Sequence, residues 1–67
     1  MIHKTAIIDS KAKISTNVKI GPYTIIGPHV EIDDDVVIQS HVNITGHTQI
    51  GKNNRIYPMA SIGSDPQ

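Results

Sequence analysis

The sequence has no cysteine, phenylalanine, tryptophan or leucine, only two tyrosines, and no long apolar run. Each absence excludes something. Without cysteine there is no disulfide framework and no thiolate nucleophile or metal ligand. Without a stretch near the ~20 apolar residues of a bilayer-spanning helix there is no membrane span, and the opening Met-Ile-His-Lys lacks the basic-then-apolar layout of a signal peptide. A cytoplasmic location is the expectation. Six basic residues balance six acidic ones to a formal charge of zero, so no basic footprint for nucleic acid or an anionic membrane surface exists.

What is present is isoleucine: thirteen in 67 residues, with five valines. β-Branched side chains lose χ1 freedom in a helix and sit well on a pleated surface, so this composition points away from helices. A chain of this length is one domain at most. A domain of about 60 residues buries only about 60% of the surface its unfolded chain exposes, so a core this small is marginal unless a partner completes it.

The isoleucines are periodic. They occupy positions 2, 8, 14, 20, 26, 32, 38, 44, 50, 56 and 62, every sixth residue without exception, with only Ile7 and Ile25 outside this register. Four residues after each comes a second patterned position, small or β-branched at Ala6, Ala12, Val18, Thr24, Val30, Val36, Val42, Thr48 and Ala60. Directly after the register isoleucine stand Asp9, Gly21, Gly27, Asp33, Gly51 and Gly63, residue types suited to a left-handed or tight turn. A helix needs apolar residues at i, i+3, i+4 and i+7, and a meander needs longer strands with turns 8–12 residues apart. Period six fits neither. It fits a strand and a corner repeated as the hexapeptide of a parallel β-helix.

Burial explains the pattern. One hexapeptide cannot hide its own isoleucine, but coils stacked at about 4.8 Å pile these side chains into continuous columns. Hexapeptide proteins wind three such units per coil in a left-handed sense, so residues 1–67 are expected to form a single all-β segment: a left-handed parallel β-helix of between three and four coils. All eleven register isoleucines are expected to be buried. The last hexapeptides carry no capping element, which reads as a solenoid truncated at its C-terminal end.

Candidate chemistry rests on four histidines. His29, His41 and His47 share the slot three residues after the register isoleucine. At 18 residues per coil, His29 and His47 stack in one column with Lys11 and Asp65, and His41 joins Thr5, Tyr23 and Met59 in the neighbouring one. Two stacked imidazoles fall short of the three or four ligands of a zinc centre, so surface or interface packing is the reading, and no metal site is assigned. Asp33, Asp34 and Asp35 read as a solvated turn. No phosphate-binding glycine loop, no Ser/His/Asp arrangement and no self-sufficient active site is present.

The run Ile20-Gly-Pro-Tyr-Thr-Ile-Ile-Gly-Pro-His-Val-Glu-Ile32, with Ser40-His-Val, Gly46-His-Thr, Asn54-Arg-Ile-Tyr57 and Ala60-Ser-Ile-Gly63, resembles the N-terminal coils of the acyl-[acyl-carrier-protein]–UDP-N-acetylglucosamine O-acyltransferases. The resemblance spans the whole chain, and Lys4 departs from the proline usual in that family. It implies a cytoplasmic homotrimer that moves a 3-hydroxyacyl chain from acyl carrier protein to the 3-hydroxyl of UDP-N-acetylglucosamine, the first step of lipid A synthesis, with no cofactor. It also implies a histidine general base in coils beyond residue 67, so no catalytic residue is assigned within the chain and the 67 residues by themselves are expected to be inactive. Gln67 matches the first contacting residue of a loop that touches the nucleotide sugar, and is the one substrate-binding residue the resemblance gives. Alternatives are another hexapeptide acyl- or acetyltransferase, a non-catalytic trimeric β-helix module, and a zinc site like that of the γ-carbonic anhydrases. The pair Gly46-His47-Thr48 and Asn54-Arg-Ile-Tyr57 favours the first reading.

Overall fold

A computed structural model describes residues 1–63. From Ile8 on, every hexapeptide contributes one short strand that ends on its register isoleucine: β1 (Ile7–Ile8), β2 (Lys13–Ile14), β3 (Lys19–Ile20), β4 (Ile25–Ile26), β5 (Val30–Ile32), β6 (Val37–Ile38), β7 (Asn43–Ile44), β8 (Thr48–Ile50), β9 (Arg55–Ile56) and β10 (Ser61–Ile62). Pairing is parallel throughout, and each strand meets the one three places on. The result is three sheets, β1-β4-β7-β10, β2-β5-β8 and β3-β6-β9. Ile7 pairs with Ile25 and Ile25 with Asn43, a step of 18 residues each time. Ile2 bridges to Ile20 in the same sense and opens the third sheet. One coil is therefore 18 residues and three strands, and the parallel β-helix follows as the period required. Among the described residues there is no helix, and so none long and apolar enough to cross a membrane.

Among the described residues the buried side chains of the core all belong to the two patterned slots. Ile20, Ile26, Ile32, Ile38, Ile44 and Ile50 are buried, together with Val18, Val30, Val36, Val42 and the polar Thr24. The expectation of eleven buried isoleucines is corrected at the ends. Ile8, Ile14, Ile56 and Ile62 are only partly buried, and Ile2 is 49% exposed. All five stand at an end of their column, where a coil lies on one side only; Ile50, also last in its column, is covered all the same and is 7% exposed. Thr24 fills a core slot because its hydroxyl is fully bonded, donating to the Gln39 carbonyl at 2.9 Å and accepting from the Val42 amide at 3.4 Å.

The corners differ from the sequence expectation. Left-handed backbone was expected directly after the register isoleucine. Instead Tyr23, Asp35, His41, Asn53 and Met59 take φ values of 57–68°, and each stands three residues after one. Of the glycines directly after an isoleucine, only Gly63 has positive φ. Gly21 has a different requirement: a Cβ there would lie 2.8 Å from the backbone of Gln39 in the next coil.

Candidate functional site

The prism presents three corner columns, and the candidate residues lie on them. Between the third and first sheets stand Thr5, Tyr23, His41 and Met59; between the first and second, Lys11, His29 and His47; between the second and third, Asn17, Asp35 and Asn53. The columns expected from an 18-residue coil are thus the columns found, up to residue 63.

His29 and His47 meet face to face, with ring centroids 4.5 Å apart and planes 11° from parallel. The Thr48 amide donates to the His29 carbonyl at 3.3 Å, fixing one coil over the next beside the rings. They border an open depression of about 260 Å³ shared with Lys11, Lys13 and Glu31. Among the described residues no three or more His, Cys, Asp or Glu side chains gather as a closed metal centre.

The neighbouring column is less polar. Tyr23 packs on His41 with centroids 5.2 Å apart and planes tilted by 33°. Below them the Thr5 hydroxyl accepts from the Tyr23 amide at 3.0 Å, and it pairs with His3 Nδ1 at 2.9 Å. Tyr23, Tyr57 and Met59 are all exposed, Met59 by 77%. On the outer face of the first sheet, alongside this corner, the out-of-register Ile7 and Ile25 are register partners and both exposed. Sequence reasoning noted Ile7 and Ile25 only as exceptions. The signal available was that they precede successive members of one isoleucine column, which places both on the same outward face.

The third column is a polar ladder. Asn17 Nδ2 donates to Asp35 Oδ1 at 2.6 Å, the Asp35 amide donates to Asn17 Oδ1 at 3.3 Å, and the Asp34 amide donates to Asp33 Oδ1 at 2.8 Å. These bonds within the corner bear out the reading of the three aspartates as a turn. None of the four histidines is buried, and none faces an enclosed polar cleft. Gln67, the substrate contact implied by resemblance, lies outside the described residues.

Three parallel sheets built from stacked six-residue units define a hexapeptide-repeat β-helix. The "Bacterial transferase hexapeptide (six repeats)" family matches residues 1–34 and 11–46, and the chain belongs to that family. Among solved structures it is similar to a UDP-N-acetylglucosamine acyltransferase, with 45% identity and a TM-score of 0.97 over the whole of this chain and 26% of that one. The chain thus spans about a quarter of the length of that enzyme. Comparison with curated proteins finds no match.

Proposed function

We propose that these coils belong to an acyltransferase that acylates UDP-N-acetylglucosamine. The observation that carries the reading is the 45% identity to such an enzyme, held along the whole chain with a TM-score of 0.97. The donor is a 3-hydroxyacyl chain on acyl carrier protein, the acceptor is the sugar 3-hydroxyl, and the product enters lipid A synthesis in the cytoplasm. Within that enzyme the 67 residues serve as scaffold, and Gln67 contacts the nucleotide sugar.

The chemistry of the described residues supports a scaffold role. A general base needs to reach its proton within about 2.6–3.2 Å in a site that holds the substrate. His29 and His47 are occupied with each other, His41 with Tyr23, and His3 with Thr5. Acyl transfer from a 3-hydroxyacyl carrier protein to UDP-N-acetylglucosamine, followed by mass spectrometry of the sugar nucleotide, is expected to show no product with the 67 residues by themselves. It is expected to show product with an otherwise active hexapeptide enzyme whose own first coils are replaced by these residues. An inactive chimera that still folds and assembles would overturn the assignment.

The working assembly is a homotrimer joined along the column of Tyr23, His41 and Met59 and the adjoining Ile7–Ile25 face. Two observations favour that surface. Both tyrosines of the chain and both out-of-register isoleucines are exposed, and tyrosine and methionine are enriched in the cores of interfaces. In addition, three bulky residues accept left-handed backbone in this column, where the polar column uses Asp35 and Asn53. Bulky residues in that region carry a cost of about 1–2 kcal/mol each, which an outward contact offsets.

A further inference from the structure

We propose that the exposed Ile7–Ile25 pair of one subunit seats in an open apolar depression on the next, lined there by Met1, His3, Lys19, Ile20, Gly21 and Ile38. This pairing rests on the homotrimer proposed above and adds to it a second surface, the patch that receives the isoleucines.

Symmetry makes a second surface necessary. In a closed ring of three the contact is heterologous, so a patch on one subunit meets a different patch on its neighbour. With the column of Tyr23, His41 and Met59 turned toward the threefold axis, the two faces that flank this corner meet: the first sheet of one subunit lies against the third sheet of the next. The first sheet brings Ile7 and Ile25, both exposed and in register with each other. The third sheet brings the depression, about 360 Å³, where Met1, Ile20 and Ile38 supply apolar surface. It stays open at Gly21, since the backbone of Gln39 leaves no room for a side chain there. It also starts at the shared corner, because its His3 pairs with the Thr5 hydroxyl, which accepts from the Tyr23 amide.

Height along the prism decides whether the two surfaces fit. Subunits joined along one corner column stand parallel, so each height in one faces the same height in the next. The chain climbs one strand spacing, about 4.8 Å, for every 18 residues. Ile7 is six residues, a third of a coil, above Met1, and Ile25 is the same third of a coil above Lys19 and still below Ile38. Both isoleucines therefore fall within the height that the depression spans. The remaining face offers no such match. The second sheet turns Lys13, Glu31 and Gln49 outward in register, so an apolar pair laid on it would desolvate charged and amide groups. Lys19 is compatible with the contact, since its stem is apolar and its ammonium group can reach solvent.

The test is cross-linking through added thiols, which are unambiguous because the chain has no cysteine. Ile25→Cys and Lys19→Cys are combined in one chain, both at exposed positions, treated with a short bismaleimide and run on a denaturing gel. The expected main product is a covalent trimer, at three times 7.3 kDa. Either substitution without the other, and Ile25→Cys combined with Gln49→Cys, should leave mainly single chains. Ile7→Cys with Lys19→Cys repeats the test from the other isoleucine. Circular dichroism and sedimentation velocity before labelling check that each variant keeps the β-helix and assembles. Trimers in sedimentation whose paired variants both run as single chains on the gel overturn the pairing and leave the trimer standing. Single chains in sedimentation of the unaltered protein remove the trimer and the pairing with it. Covalent dimers from Ile25→Cys without a second thiol also overturn the pairing, because the isoleucine face would then meet its own copy across a twofold axis.

Discussion

Gly21 and Gln39 are one coil apart, and their backbones approach so closely that a Cβ on Gly21 would lie 2.8 Å from both the carbonyl carbon and the carbonyl oxygen of Gln39. The approach has a clear cause. The Gly21 amide donates to Ile38 at 2.8 Å, and the Gln39 carbonyl turns inward to accept from the buried Thr24 hydroxyl. Gly21→Ala must push the two coils apart, and a shift of packed backbone typically costs about 1–3 kcal/mol. For a chain of this size that lowers the melting temperature by roughly 4–8 °C per kcal/mol. Gly51→Ala is the control, because a Cβ there meets only Asn54 Nδ2 at 3.6 Å, an ordinary contact. Equal losses from both in thermal melts would remove the close approach as the explanation.

The eleven register isoleucines are equivalent in sequence and unequal in the fold. Ile44 is fully buried with coils on both sides, whereas Ile2 is half exposed at the first coil. Ile44→Ala is expected to cost about 2–5 kcal/mol, the range for a large core side chain cut to alanine. Ile2→Ala should cost about 1 kcal/mol, since only about half of its surface leaves water. Urea unfolding of the two variants measures the difference, and comparable losses would mean that stacking does not control burial.

Thr24 and Val42 occupy the same core slot in successive coils, yet only one carries a hydroxyl. Thr24→Val keeps the shape and leaves the Gln39 carbonyl without its hydroxyl donor and the Val42 amide without its acceptor. Buried groups deprived of a partner cost about 1–3 kcal/mol, so a loss of that size is expected in chemical denaturation. A neutral or stabilising change would show that the slot prefers valine and that the hydroxyl contributes nothing.

The period of six contained the strand-and-corner unit, and with the three units per coil known of hexapeptide proteins it led to the coil, the three sheets and the columns, because a strict repeat then fixes which residues lie above one another whatever the local detail. The stacking of His29 on His47 and of Tyr23 near His41 followed from their 18-residue spacing once a coil of three hexapeptides was adopted. The corner conformation did not. Glycine after an isoleucine is compatible with a positive φ and equally with a close backbone approach, and residue type does not distinguish them. Gly21 serves the second need, while the left-handed turn falls on Tyr23, whose identity gives no hint of it. The unequal burial of Ile2 and Ile44 was likewise hidden, because it depends on where a residue stands in the stack and not on its repeat position. Of the candidate site, the histidine column was legible and the exposed Ile7–Ile25 pair was visible only as a break in the pattern.

That pair gives the sharpest test of assembly. Ile7 and Ile25 are cross-strand partners on the outer face of the first sheet, 66% and 44% exposed, and Tyr23 borders them at 61%. Burying an isoleucine fully contributes about 1.5–3 kcal/mol, so covering the pair in each of three subunits supplies a substantial drive toward association. Ile25→Lys places a charge in the middle of the covered face and leaves the inward Ile26 untouched. In sedimentation velocity the unaltered chain is expected to run as a particle of three times 7.3 kDa, and Ile25→Lys as a single chain with the same β-sheet circular dichroism. Gln49→Lys, on the outer face of the second sheet, should remain trimeric. If Ile25→Lys keeps the trimer while Gln49→Lys breaks it, the subunits meet through the second sheet and the tyrosine corner faces solvent.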